Sequence, residues 1–100
     1  MGKIEDTLSK LQNLYIHEFK ESETELIGIC NNIIDYVYDA LTSNKQSFTY
    51  QIGYYAVDYS DLRRFTYPLK ELGYSVKITT DEIRTTFYDT EKFYIFKVTL

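Results

Sequence analysis

The chain has 100 residues, 44% apolar and 26% charged, with four glycines, one proline and a formal net charge of −4. A chain of this size and balance buries roughly 60–70% of its unfolded surface, enough for one hydrophobic core without a metal or disulfide, and its composition is neither disordered nor collagenous. Cys30 is the only cysteine, so no intramolecular disulfide can form, and the start MGKIEDTLSK carries no apolar run of signal-peptide type.

Apolar residues recur at helical spacing from Ile4 through Leu8, Leu11 and Tyr15 to Phe19, which predicts an amphipathic helix ending near Glu21. Ser22-Glu23-Thr24-Glu25 has the form of a capping box, and a second helix is predicted from there, with one long helix through Ser22 as the alternative. The second stripe, Leu26, Ile29, Cys30, Ile33, Ile34, Val37 and Leu41, is the wider, so this helix is the better buried; Thr42-Ser43-Asn44 closes it. The period then changes to two. Phe48, Tyr50, Ile52, Tyr54 and Ala56 alternate with Thr49, Gln51, Gly53, Tyr55 and Val57, as a half-buried strand requires.

Asp58 or Ser60 is placed to cap a third helix with Leu62, Phe65, Leu69 and Leu72 inward and Gly73 as its stop. Pro68 removes a donor and disfavours helical Tyr67, predicting a kink or two short turns. Tyr74 to Thr80 reads as a strand, and Ile83 to Tyr88 with Phe93 to Leu100 as a hairpin around Asp89-Thr90-Glu91-Lys92. Both alternating sets of the last strand are mostly apolar, which predicts a central place in the sheet. The expected fold is α+β, a single domain over 1–100: two N-terminal helices, then strand-helix-strand-strand, with helices on one face of a small antiparallel or mixed sheet.

Several function classes fall away on residue chemistry. His17 stands in HEFKE, which lacks the second histidine of an HExxH metal site, so no metal is expected. Cys30 lies inside an apolar stripe, where a thiol stays protonated, and neither phosphate-loop glycine motif occurs. Glu18, Glu21, Glu23 and Glu25 crowd a helix junction that reads as solvated, with no pocket to pair them for acid–base work. Neither catalysis nor a cofactor is expected. Asn31, Asn32, Asp35 and Asp39 interrupt the longest apolar candidate, so no membrane span is expected, and Asp6 stands where the myristoylation pattern wants Ser or Thr. The expected location is the cytoplasm.

Charge and motif also weigh against nucleic acid. Residues 1–44 hold eight acids against three lysines, and residues 45–100 seven acids against eight bases, so no half is basic enough to follow a phosphate backbone. Ile52 to Tyr59 matches an RNA-recognition signature at Gly53, Tyr54, Val57 and Tyr59, but Ile52 replaces its cation and Ala56 a stacking aromatic. A winged helix would need two helices and a turn between Val57 and Gly73.

Eleven tyrosines and six phenylalanines are the main departure from average composition. Alternation sends Tyr50 and Tyr54 inward. Tyr55, Tyr59, Arg63, Arg64 and Tyr67 are harder to bury, and tyrosine with arginine is the composition of interface hot spots. These five form the expected protein-binding surface, with the acidic helices as a second. The leading expectation is a small non-enzymatic module that binds another protein. Tyr, Ile, Asn, Lys and Phe, which A/T-rich codons favour, greatly outnumber Gly, Ala, Arg and Pro, which suggests the A/T-rich genome of a low-GC bacterium or one of its phages and, as the most concrete version, a phage-encoded effector that inhibits or redirects a protein in the host cytoplasm. The alternatives are a nucleic-acid binder using the same tyrosines and arginines, or a homo-oligomeric structural subunit joined through its sheet edge.

Overall fold

The first two apolar stripes form helices α1 (Lys3–Glu18) and α2 (Thr24–Thr42) in the computed structural model, which describes residues 2–100. Phe19 ends α1 in extended conformation, yet its N–H still bonds the Tyr15 carbonyl at 3.0 Å and its ring is buried. The chain turns at once into α2, whose core-facing side carries Cys30, Ile33, Val37 and Ala40. The capping box expected at Ser22 and Glu25 does not form. Glu23 is the N-cap residue of α2, and its carboxylate instead accepts Lys20 N–H at 2.9 Å across the turn. At the other end Asn44 takes a left-handed φ of 59°, which lets Lys45 N–H return to the Ala40 carbonyl.

Strand β1 (Ser47–Gly53) follows the predicted alternation but ends at Gly53, where Ala56 N–H closes a turn onto its carbonyl. Helix α3 (Tyr59–Glu71) runs unbroken through Pro68 rather than splitting into two turns. Proline there forfeits only its own bond to the Arg64 carbonyl, and its ring is fully buried. Gly73, at φ +88°, ends the helix: its N–H bonds Lys70 C=O and Tyr74 N–H bonds Leu69 C=O, the paired bonds that a left-handed residue permits.

The remaining residues pair as β2 (Ser75–Arg84) and β3 (Thr90–Thr99), in the antiparallel sheet order β1-β3-β2. β3 is central, as its two apolar faces predict. The two short strands expected around Asp81 and Glu82 are one strand of ten residues, and the loop is 85–89 rather than 89–92. Two acids fail to break it because β2 beyond Val76 is exposed on both faces, so no buried surface rejects them, and Lys92 pairs with Glu82 across the strands at 3.4 Å.

Tyr94, Phe96 and Val98 of β3, with Ile52 of β1, meet the helices in one hydrophobic cluster. α2 covers β1, α3 covers the start of β2, and α1 packs on both helices. Tyr36 of α2 stacks on Phe48 at 5.8 Å and meets Tyr50 edge-on at 5.1 Å, fixing helix to strand. Tyr15 of α1 sends its hydroxyl into the core to donate to the Phe65 carbonyl of α3 at 2.7 Å, and burial pushes its phenol pKa far above the ordinary value.

Two consequences are measurable. Tyr15→Phe should lose about 1 kcal/mol, or roughly 4–8 °C in Tm, while Phe65→Ala should cost about 3–5 kcal/mol, both read by thermal unfolding. Cys30, buried and with its thiol pushed up to about 12 by desolvation, should react slowly with a thiol reagent in the native protein and rapidly once unfolded.

Candidate protein-interaction surface

α3 starts at a turn whose geometry its first residues supply: Asp58 N–H donates to Asp61 Oδ2 at 3.2 Å, and Asp61 N–H returns to the Asp58 carbonyl. From that start, Leu62, Phe65 and Leu69 turn into the core, and the opposite side carries Tyr59, Arg63 and Tyr67 at successive intervals of four, all exposed. Residues four apart on a helix are neighbours, so these three form one stripe. Tyr59 is 78% exposed and Tyr67 57%. The Glu71 carboxylate, one turn further on, holds the Tyr67 phenol above its ordinary pKa. Tyr55, 87% exposed, lies before the helix with its ring edge-on to Tyr54 at 5.1 Å.

Arg64 is placed apart from this stripe. Its guanidinium lies 4.2 Å from the centroid of the Phe19 ring and reaches the α1–α2 junction. Nε donates to Glu18 Oε1 at 3.3 Å, Nη1 to Glu23 Oε2 at 2.8 Å and Asp61 Oδ1 at 3.1 Å, and Nη2 to Glu23 Oε1 at 2.8 Å and the Glu18 carbonyl at 3.0 Å. All five donors are used, and the pair with Glu23 is a bidentate fork. The junction acids read as solvated are therefore divided: Glu18 and Glu23 serve this cation, while Glu21 and Glu25 remain exposed. The hydrogen bonds from Arg64, with one from Lys20, hold the Glu23 carboxyl down at about 2, and Glu23 in turn raises the Arg64 pKa.

Spacing alone did not find a second exposed element. Beyond Val76, β2 and the start of β3 form a two-stranded arm with no buried residue up to Lys92, and the molecule reaches 52 Å along its longest axis. At the tip Phe87 and Tyr88, 76% and 90% exposed, meet edge-on at 5.1 Å, and Arg84 donates to the Phe87 carbonyl with its guanidinium 5.6 Å from that ring. The corner residues Tyr54 and Tyr55 sit at the arm's base, where Tyr54 stacks on Tyr94 and Tyr54 N–H bonds the Lys92 carbonyl. The available clue was an aromatic pair, Phe87-Tyr88, beside turn-forming Asp89.

An apolar cleft of about 360 Å³ opens between α1 and α2, with Ile16, Ile27 and Ile34 around Cys30. Burial keeps that thiol protonated, so it presents a surface rather than a nucleophile. Among the described residues no group of three or more His, Cys, Asp and Glu is placed to hold a metal, and no helix is long and apolar enough to cross a membrane. Comparison with known proteins finds no family model that matches the chain, no curated protein similar to it and no solved structure similar to its fold.

Arg64→Ala should lower Tm by about 5–10 °C, since three carboxylates lose their shared cation. The acid limb has a defined sign. Glu23 has a folded pKa near 2, below its unfolded value of about 4.3, so its contribution is full above the unfolded value and is lost as pH falls toward the folded one. Glu23→Gln should therefore flatten the fall in stability between those two values, as measured by denaturant unfolding at a series of pH values.

Proposed function

We propose that this chain is a non-enzymatic module that works by binding another protein. One observation carries the reading: Tyr38, Tyr55, Tyr59, Tyr67, Phe87 and Tyr88 are each more than half exposed, from 53% to 90%, while Tyr15, Phe19, Phe65, Tyr94 and Phe96 are buried in the core. Tyrosine offers a large, stiff contact area at low entropic cost, and such residues at a surface are the composition of hot spots. The Tyr59, Arg63 and Tyr67 stripe with Tyr55 is the primary surface. Arg64, the fifth residue of the expected set, acts on it indirectly by holding α3 in place.

The cytoplasm is the compartment this reading assumes, and the surplus of Tyr, Ile, Asn, Lys and Phe, residues that A/T-rich codons favour, makes a phage-encoded effector acting on a host protein its most concrete form. Against nucleic acid stands the mixed charge around the stripe: two exposed cations, Arg63 and Lys70, share it with Glu71, which lies beside Tyr67.

An affinity pull-down from lysate, with and without nuclease, tests the class. One stoichiometric protein retained after nuclease supports the reading, and recovery that nuclease abolishes overturns it. Tyr59→Ala with Arg63→Ala should then weaken the captured partner roughly thirtyfold or more, with stability changed by about 0.5 kcal/mol or less. Unchanged affinity with an intact fold would remove the stripe from the interface.

A further inference from the structure

Hydrogen-bond parity leaves one long strand edge open. Thr85 N–H donates to Asp89 C=O at 3.1 Å, one step beyond the Arg84–Thr90 pair. On the other side of β3, Tyr54 N–H reaches Lys92 C=O at 3.0 Å and Leu100 N–H reaches Gln46 C=O at 2.8 Å. Bonded positions alternate along an antiparallel ladder, so the odd residues of β3 bond β2 and the even residues bond β1. On β2, Val76, Ile78, Thr80, Glu82 and Arg84 accordingly turn their backbone groups outward. Glu82 agrees with this: its N–H is taken by its own neighbour, Asp81 Oδ1, at 2.8 Å. Every residue from Lys77 to Arg84 is exposed, so no helix or loop covers this edge.

We propose that β2 of a second copy of this chain closes the edge, running antiparallel about a two-fold axis at Thr79 and joining the two sheets into one. In that register Ile78 faces the partner's Thr80 and Val76 faces the partner's Glu82, each pair joined through its outward backbone groups. Lys77 faces the partner's Asp81, and symmetry makes this ion pair twice. Glu82 N–H passes from Asp81 to the carbonyl of the partner's Val76, which frees the carboxylate for the lysine. Among the described residues neither Lys77 nor Asp81 has an ion-pair partner within the chain.

Neighbouring registers lose this complementarity. An axis at Thr80 sets Lys77 against Ile83 and Ile78 against Glu82; an axis at Asp81 sets two carboxylates face to face; an axis at Ile78 leaves Lys77 against Thr79. Charges on an edge strand ordinarily keep it from pairing. Here like charges oppose one of these registers, the other two leave Lys77 and Asp81 unpaired, and only the axis at Thr79 joins them. The other edge, β1, is shorter, at seven residues, and carries no charge to choose a register. The inference rests on ladder parity and charge pattern, and is independent of the α3 surface.

The test is sedimentation equilibrium of the full chain from micromolar to near-millimolar concentration, with circular dichroism confirming that each variant folds. The wild type should dimerise. K77D and D81K should each weaken the dimer at least about tenfold, and K77D combined with D81K should restore it to within about threefold of wild type. T80P removes an outward N–H and no bond to β3, so it should fold and remain monomeric. A wild type that stays monomeric throughout, a dimer indifferent to the single reversals, or a double reversal that restores nothing overturns the proposal. Loss through T80P of a different captured protein, with the wild type monomeric, assigns the edge to that protein and overturns it too.

Discussion

Arg64 commits all five of its N–H groups to Glu18, Glu23 and Asp61, and the placement of three helices follows from that. α1 and α2 meet at a sharp turn, where the Glu18 carbonyl has no partner within its own helix and several carboxylates crowd together. A single cation from α3 bridges three of these carboxylates, donates to the stray carbonyl and covers the Phe19 ring, which itself stacks on Phe65 at 5.1 Å. A lysine could not replace it, since an ammonium carries the charge without the planar fork. The core side of α3 is thereby fixed from both directions: Phe65 packs beneath Phe19 and supplies the carbonyl for Tyr15, while Arg64 lies above the same ring. The exposed tyrosine stripe points outward because the adjacent helical position is held inward.

The molecule divides into a packed body and an unpacked arm, joined by one strand pair. In the body, no buried side-chain polar atom among the described residues lacks a partner. In the arm, the hairpin is held by cross-strand bonds, the Glu82–Lys92 pair, the Arg84 contacts with Phe87, the Phe87–Tyr88 contact and the threonine bonds of the loop, and each is exposed to water. Elements with few buried contacts open at low free energy while the core stays closed. The arm is thus the part of the fold that costs least to reshape against another surface.

Much of this architecture was legible in the sequence because it rests on periodicity. The stripes from Leu11 to Phe19, Cys30 to Val37 and Leu62 to Leu69 mark faces that water expels, and the double apolar character of Phe93 to Val98 marks a strand flanked on both sides. What could not be read was set by partners distant in sequence. Glu23 looked like the interior of a capping box, whereas it is the N-cap residue of α2 and its carboxylate is held by a guanidinium 41 residues away. Arg64 and Arg63 are adjacent and alike in type, and only the rotation of α3 against Phe19 separates an anchor from a free cation. Asp81 and Glu82 suggested a break because charge is excluded from strands with a buried face, and this strand has none. Of the five residues expected at the surface, Tyr59, Arg63 and Tyr67 share one stripe, Tyr55 lies before it, and Arg64 belongs to the helix junction.

The central place of β3 also bears on how the chain is made. Synthesis runs from the amino end, so β1 and β2 both leave the ribosome before the strand that joins them, and within the chain each pairs with β3. Until residues 90–99 arrive, the helices carry apolar faces with no sheet beneath them, and two unpaired strands are available to any neighbouring chain. Contacts that must wait for distant partners slow folding and prolong exposure to aggregation. Nascent chains stalled before Thr90 should depend on holding chaperones, and chains released after it should not.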